Sequence, residues 1–247
     1  MKEYIDFAYV YDKLTSDVRY DELADYIEDI FNKFCHDKPQ LILDLACGTG
    51  SMTNILSDRG YDMIGVDSSY DMLNVAMEKR GERNILYLNQ DASEFELYGT
   101  VDAIICLLDS INYITNPEDI DGLFWGADNY LNPDGLFIFD VNTLYKFEEI
   151  LGHNTMTYDE DDIFYSWENE YIPQEETHNM YLTFFVKEGE VYNRFDEHHI
   201  QRYYPDEFLD KFIEKYGFEK LGVYHERTFQ KPQKDSQRIF YVLRKNV

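Results

Sequence analysis

The chain has 247 residues, of which 22 are lysine or arginine and 49 are aspartate or glutamate, for a formal net charge of −27. Such a length can bury a full core as one large domain or two small ones. So acidic a balance excludes sequence-independent binding to phosphate backbones, which rests on Lys and Arg neutralising phosphates, and no DNA partner is expected.

In chain order, the first twenty residues are rich in tyrosine (Tyr4, Tyr9, Tyr11, Tyr20). Leu23, Ile27, Ile30, Phe31 and Phe34 then recur at helical spacing behind Asp21 and Glu22. Regular alternation follows: strand 41–45, helix 51–58 stopped by Gly60, strand 63–66, helix 69–80 stopped by Gly81, strand 85–88 and strand 101–108. A helix over 117–131 opens at Asn116 with Pro117 in its first turn, and a strand over 135–139 comes next. Continuous apolar strands between helices mean a parallel sheet covered on both faces. After a helix over 143–151 the period drops to two over 156–158, 163–168, 180–187 and 191–202, separated by turns such as 159–162 and 188–190, which reads as an antiparallel sheet with one wet face. Helix 205–216, stopped by Gly217, and strands 218–224 and 239–243 close the chain.

The expected fold class is therefore α/β: a Rossmann-like, seven-stranded, mostly parallel sheet with helices on both faces, plus an inserted antiparallel β cap. Residues 1–152 and 203–247 would form the main domain, with 1–36 as lid helices and 153–202 as the cap. Cys35, Cys47 and Cys106 form no Cys-x-x-Cys and have no histidine at ligand spacing, so no metal is expected. No apolar run approaches about twenty residues, and the first twelve are charged and aromatic, so a soluble, cytoplasmic protein with no membrane partner is expected.

The chain declares its chemistry at Leu41-Ile-Leu-Asp-Leu-Ala-Cys-Gly-Thr-Gly50. A buried strand breaks into two glycines, which let a ligand approach the main chain, and the helix after them presents free N–H groups. A dinucleotide fingerprint needs a third glycine where Thr53 stands. Instead a second acid, Asp67, ends the next apolar run, placed for a ribose. Right-handed crossovers bring Asp44, Asp67, Asp91 and Asp109 to one rim.

Asp44-Leu-Ala-Cys-Gly-Thr-Gly50, Asp67-Ser-Ser-Tyr-Asp-Met-Leu73 and Asp91-Ala92 resemble the motifs of class I S-adenosylmethionine-dependent methyltransferases, with Ala46 where the family more often has glycine. The resemblance implies S-adenosyl-L-methionine as cofactor. It places Asp44 at the ammonium end, Ala46, Gly48 and Gly50 in close main-chain approach, Asp67 with Ser68 at the ribose, and Asp91 with Ala92 at the adenine amino group. Met72 would meet the adenine ring, though it also belongs to a buried helical stripe with Leu73, Ala76 and Met77. Leu107 and the lid tyrosine Tyr20 complete the cofactor set.

Methyl transfer from a sulfonium is an in-line displacement in which positioning the acceptor does most of the work. The loop Leu107-Leu-Asp-Ser-Ile-Asn-Tyr113 contains neither Asn-Pro-Pro-Tyr nor a Pro-Cys pair, the motifs of enzymes that methylate DNA bases. Asp109, Asn112 and Tyr113 are its orienting groups; Tyr11 in the lid and His199 in Glu197-His-His-Ile-Gln-Arg202 are the further catalytic candidates. The expected acceptor is a nitrogen or oxygen of a small molecule, and the expected assembly a monomer or dimer. RNA is disfavoured: a tRNA-nucleoside enzyme would need a basic patch near Lys211, Lys215 or Arg238. A non-catalytic cofactor-binding regulatory module is the other alternative.

Overall fold

The computed structural model describes residues 7–160 and 162–246. Tyr4 and the side chain of Tyr9, expected in the lid, lie outside the described residues, as does Asp161 of the acidic turn. The elements are α1 (Phe7–Leu14), α2 (Tyr20–Phe34), β1 (Leu41–Leu45), α3 (Ser51–Asp58), β2 (Asp62–Asp67), α4 (Tyr70–Arg80), β3 (Ile85–Asn89), β4 (Val101–Cys106), α5 (Asp119–Tyr130) and β5 (Leu131–Asn142). There follow β6 (Thr155–Glu160), β7 (Ile163–Ile172), β8 (Thr177–Glu188), β9 (Val191–Arg202), α6 (Asp206–Lys215), β10 (Glu219–His225) and β11 (Arg238–Arg244).

Seven strands pair in the order β10-β11-β5-β4-β1-β2-β3. The pairs among β1 to β5 are parallel, while β11 runs antiparallel to both neighbours. Strands buried on both faces need helices on both. One face carries Leu23, Ile27 and Phe31 of α2 and Leu56 of α3 against Ile42, Ala103, Ile105 and Ile138. On the other, Leu123 and Phe124 of α5 and Leu209 and Ile213 of α6 pack on Leu43, Ile104, Phe137 and Phe139. A fully buried aromatic such as Phe124 contributes about 1.5–3 kcal/mol by area alone.

Several boundaries differ from the sequence reading, each for a tertiary reason. The fourth strand ends at Cys106 rather than Leu108, because Leu108 and Asp109 turn to φ +58° and +55°. The strand expected over 135–139 runs from Leu131 to Asn142, since β11 pairs with it from Leu136 to Asn142. The helix expected over 143–151 is largely a π-helical turn, Lys146–Leu151, with Gly152 N–H bonded to Phe147 O at 2.8 Å. The helix expected from Pro117 starts at Asp119.

The strands β6-β7-β8-β9 form a separate antiparallel sheet. Its inner face holds Tyr165 and Phe184 in a cluster with Val10 of α1, against which Phe7 and Leu14 also pack. Phe164, Tyr181 and Ile200 lie exposed on the outer face. The short helix α1 is thus the hinge piece between the two sheets: it packs on this cluster with one side, and with the other it reaches the loop after β1.

Candidate active site

Where β1 ends, Ala46, Gly48 and Gly50 all take positive φ, at +60°, +54° and +71°. The alanine holds this left-handed conformation at a cost of roughly 1–2 kcal/mol. A side chain on Gly50 would collide with the Tyr87 hydroxyl, and one on Gly48 would come within 4.0 Å of the Tyr11 ring. Glycine keeps the loop flat beneath Tyr11.

Two carboxylates fix the loop. Asp67 accepts the Gly48 N–H and the Ser69 N–H, both at 2.8 Å, which ties the end of β2 to the loop and to the start of α4. Burial raises its pKa against the pull of these two bonds. Asp44 is 3% exposed and accepts the Thr53 hydroxyl at 2.5 Å. Burial pushes its pKa up to about 7, opposed by that bond, so a cationic ligand group is what would keep it ionised.

Asp12 of α1 latches the covering helix down. Its Oδ1 accepts from Thr49 at 2.5 Å and Ser51 at 3.2 Å, and its Oδ2 from Lys79 Nζ of α4 at 2.6 Å. Beneath it lies a tight cavity of about 40 Å³ lined by Tyr11, Tyr20, Asp44, Ala46, Gly48, Met52, Leu107 and Ser110, among others. Burial raises the pKa of Tyr11, with smaller contributions from Tyr20, Tyr113, Asp109 and Asp67.

The rim after β4 is held by a charged cluster. Both oxygens of the fully buried Asp140 are used, Oδ1 by the Leu108 N–H at 2.7 Å and Oδ2 by the Asp109 N–H at 2.8 Å. These bonds stabilise two successive left-handed residues, a conformation that otherwise costs a few kcal/mol. Arg238 pairs with Asp109 and, at 3.1 Å, with Asp140. Gln201 of β9 donates to the other Asp109 oxygen at 2.5 Å. Asn112 donates to Arg202 O at 2.8 Å and accepts the Asn142 N–H at 2.9 Å. Tyr113 keeps 46% of its surface open, and its ring meets that of His199 edge-on at 5.9 Å.

The family model for a methyltransferase domain matches residues 42–135. YqeM of Bacillus subtilis, which carries a methyltransferase name, is 34% identical over 98% of this chain and 97% of its own. An S-adenosylmethionine-dependent methyltransferase from Clostridium acetobutylicum, solved by crystallography, superposes with a TM-score of 0.88 at 35% identity, covering 98% of each chain. The chain belongs to the class I S-adenosylmethionine-dependent methyltransferases. KedS8, a sugar N-methyltransferase from Streptoalloteichus, shares the fold at 17% identity with a TM-score of 0.81, covering 100% of this chain and 96% of its own.

In this methyltransferase the expected residues fall into three groups. Tyr11, Tyr20, Asp44, Ala46, Gly48 and Leu107 line one cavity, and Asp67 is bonded directly to its loop. Ser68 lies beside it, its carbonyl bonded by Asn89 at 2.9 Å; Met72 is half-buried, its N–H capped by Ser69 at 3.3 Å. Asp91 is exposed and closes its own turn by accepting from Ser93, while Ala92 packs on the core. The third group, Asp109, Tyr113 and His199, meets where β9 crosses the rim.

Sequence reasoning missed Asp12, Lys79 and Asp140, and the part that Arg238 and Gln201 play at the rim. Asp140 had a visible signal, an acid ending the apolar run 136–139 as Asp44 and Asp67 end theirs. Among the described residues, no group of three or more His, Cys, Asp or Glu side chains is arranged to hold a metal ion.

Proposed function

We propose that the enzyme methylates a nitrogen or oxygen of a small molecule held between the glycine-loop rim and the inner face of the β6–β9 sheet. The observation that carries this reading is the roof. Strand β9 sits directly on the turn Ser110–Tyr113 through Gln201 to Asp109, Asn112 to Arg202 O and the Tyr113–His199 contact, which favours an enclosed pocket over a groove open to a polymer. Two of the three positions at which a tRNA substrate would need a basic patch are neutralised: Lys215 is paired with Asp121 at 2.6 Å and Arg238 is buried between two aspartates, while Lys211 stands over the Phe208 ring. Similarity of fold to a sugar N-methyltransferase makes amines the acceptors to try first.

On this reading residues 1–152 and 203–247 form the cofactor domain, 1–36 its lid, and 153–202 the acceptor cap. The pocket suits S-adenosyl-L-methionine, whose ammonium and sulfonium ask for acceptors: Asp44 waits in ionisable form, and Asp67 is held rigidly with oxygen lone pairs to spare for two ribose hydroxyls. Gly48, Gly50 and Ala46 give main-chain approach, Ser68, Met72, Asp91, Ala92 and Leu107 line the adenine and ribose side, and Tyr20 closes the amino-acid end. When bound, the cofactor supplies an electrophilic methyl on sulfur. The chain's own residues exclude water with Tyr11 and orient the acceptor with Tyr113 and His199. We assign Asp109 a positioning role, since both its oxygens are engaged within the protein.

The test is Tyr113→Phe. Loss of the hydroxyl should leave S-adenosylmethionine affinity within about threefold, under 1 kcal/mol, and lower turnover of an accepted amine about 10²-fold. Calorimetry, melting temperature and S-adenosylhomocysteine formation are read on one preparation. Undiminished turnover would remove Tyr113 from the acceptor site.

A further inference from the structure

Three cross-strand rows cover the inner face of the β7-β8-β9 sheet: Tyr171, His178 and Gln201; Asn169, Met180 and His199; Trp167, Leu182 and Glu197. Alternation along each strand puts all three rows on one face, and Gln201 and His199 turn that face toward the Asp109–Tyr113 rim. Five atoms in these rows are buried with no hydrogen-bond partner among the described residues: Trp167 Nε1, Asn169 Oδ1, both ring nitrogens of His178, and His199 Nε2. A Glu197 oxygen stands 4.0 Å from His199 Nε2, beyond hydrogen-bond reach. Each such atom forfeits the hydrogen bonds it makes to water when unfolded, and native proteins keep few of them. Four side chains in this state on one face, the face whose edge strand β9 meets the Asp109–Tyr113 rim, are the mark of a wall whose partner arrives with the ligand.

The chemistry of the wall defines that ligand. Trp167 only donates, the Asn169 oxygen only accepts, and a neutral histidine does one at each nitrogen; hydroxyl groups answer all of these, since each both donates and accepts. The neighbouring charges are Asp109, Asp140, Glu197 and Glu226 against Arg238 and Lys146, and Lys146 is bonded to Asn142 at 2.9 Å. A carboxylate or phosphate would therefore enter as an uncompensated buried anion, and a protonated amine would face the cofactor's sulfonium. We propose that Trp167, Asn169, His178 and His199 form the acceptor-recognition wall, and that it selects an uncharged, hydroxyl-rich amine. The proposal rests on the small-molecule reading above and narrows it. Phe147, 5.3 Å from the His178 ring, and Phe7 of α1, 5.1 Å from His199, are the covers that shift when such a ligand seats.

The chain has two tryptophans, so Trp125→Phe leaves Trp167 as the sole emitter. In that background, with S-adenosylmethionine present, three probes are titrated at a mildly alkaline pH where the glycoside's amine is neutral: the methyl glycoside of an aminohexose, cyclohexylamine and glycine. The glycoside should give a saturable change in emission and S-adenosylhomocysteine as product, and the two others should bind at least tenfold more weakly. His178→Leu should raise the Kd and KM of the glycoside tenfold or more, leave S-adenosylmethionine affinity within about threefold and not lower the melting temperature, with His178→Asn recovering part of the loss. Equal binding of cyclohexylamine, preference for glycine, or an unchanged glycoside constant in a folded His178→Leu would overturn the wall. Binding of the glycoside without product from it or from any other acceptor would instead count against the small-molecule reading while leaving the wall supported.

Discussion

The two sides of this rim solve opposite problems. On the cofactor side the carboxylates are already tied to protein partners: Asp67 by two backbone N–H groups, Asp44 by Thr53, Asp12 by Thr49, Ser51 and Lys79. On the sheet side Trp167, Asn169, His178 and His199 hold buried atoms that no group among the described residues satisfies. On the proposed assignment the first surface is preorganised for a ligand common to the whole family, its carboxylates held in place by the protein's own groups. The second keeps its hydrogen bonds in reserve, as a surface does that must discriminate one acceptor from another. The difference teaches where substitutions should cost stability and where they should cost specificity.

The sharpest cut through this comparison is at the junction. Arg238→Leu leaves Asp109 and Asp140 buried beside each other without the cation paired to both, which should destabilise the fold by about 3–5 kcal/mol. Leu108 and Asp109, whose left-handed turn depends on Asp140, should loosen with it. A thermal melt reads the first effect, and amide exchange at the rim the second. A melting temperature unchanged from that of the parent protein would mean the cluster does not organise the rim.

Next in size is Asp67→Ala, expected to weaken S-adenosylmethionine binding by about 1.5–3 kcal/mol, the scale of lost charge-assisted hydrogen bonds. Calorimetry on folded variant decides it. Acceptor affinity at the sheet wall should hardly move, and if both constants fell together the two sides would not be separable in the way drawn above.

How much of this could be read from the chain follows the same line. The alternation of apolar runs with amphipathic helices determines the parallel sheet, and the glycine loop and Asp67 were legible because a strand end and its turn are local features. The left-handed pair Leu108–Asp109 was not, because it is imposed by Asp140 and Arg238, which lie 31 and 129 residues away from Asp109. Asp12 looked like one acid among many, since nothing local tells a latch from a solvated carboxylate. His178 was passed over for a related reason. Strand alternation gives its face, yet only the register of three strands shows that Trp167, Asn169 and His199 share that face.

Titration separates the sides by sign. Asp44, raised by burial to about 7, takes up a proton as pH falls through neutrality, so S-adenosylmethionine affinity should drop about tenfold per pH unit below 7, or about 1.4 kcal/mol. Asp44→Asn should flatten that slope. His178, lowered to about 4 by burial and then by Lys146, binds fewer protons folded than unfolded. Its contribution is therefore intact above about 6.5 and lost as pH falls toward 4, whereas raised Asp44 destabilises as pH rises from about 4 to 7. His178→Leu should remove the acid-side loss of stability and leave the affinity profile untouched. Denaturant midpoints and calorimetry over the same pH series distinguish the two.

The smallest effect lies at Ala46, where the methyl-bearing residue sits at φ +60° in a loop whose other two left-handed positions are glycine. Ala46→Gly relieves a strain of roughly 1–2 kcal/mol, but glycine also widens the unfolded ensemble by about 0.4–1 kcal/mol. The net should be a gain of between zero and about 1.6 kcal/mol, read as a small upward shift in denaturant midpoint, with S-adenosylmethionine affinity nearly constant because the loop path is already set by Gly48, Gly50 and their bonds to Asp67 and Cys47. A loss of cofactor affinity beyond threefold would show that the alanine methyl itself contacts the ligand, and that the cofactor side is less generic than its glycines suggest.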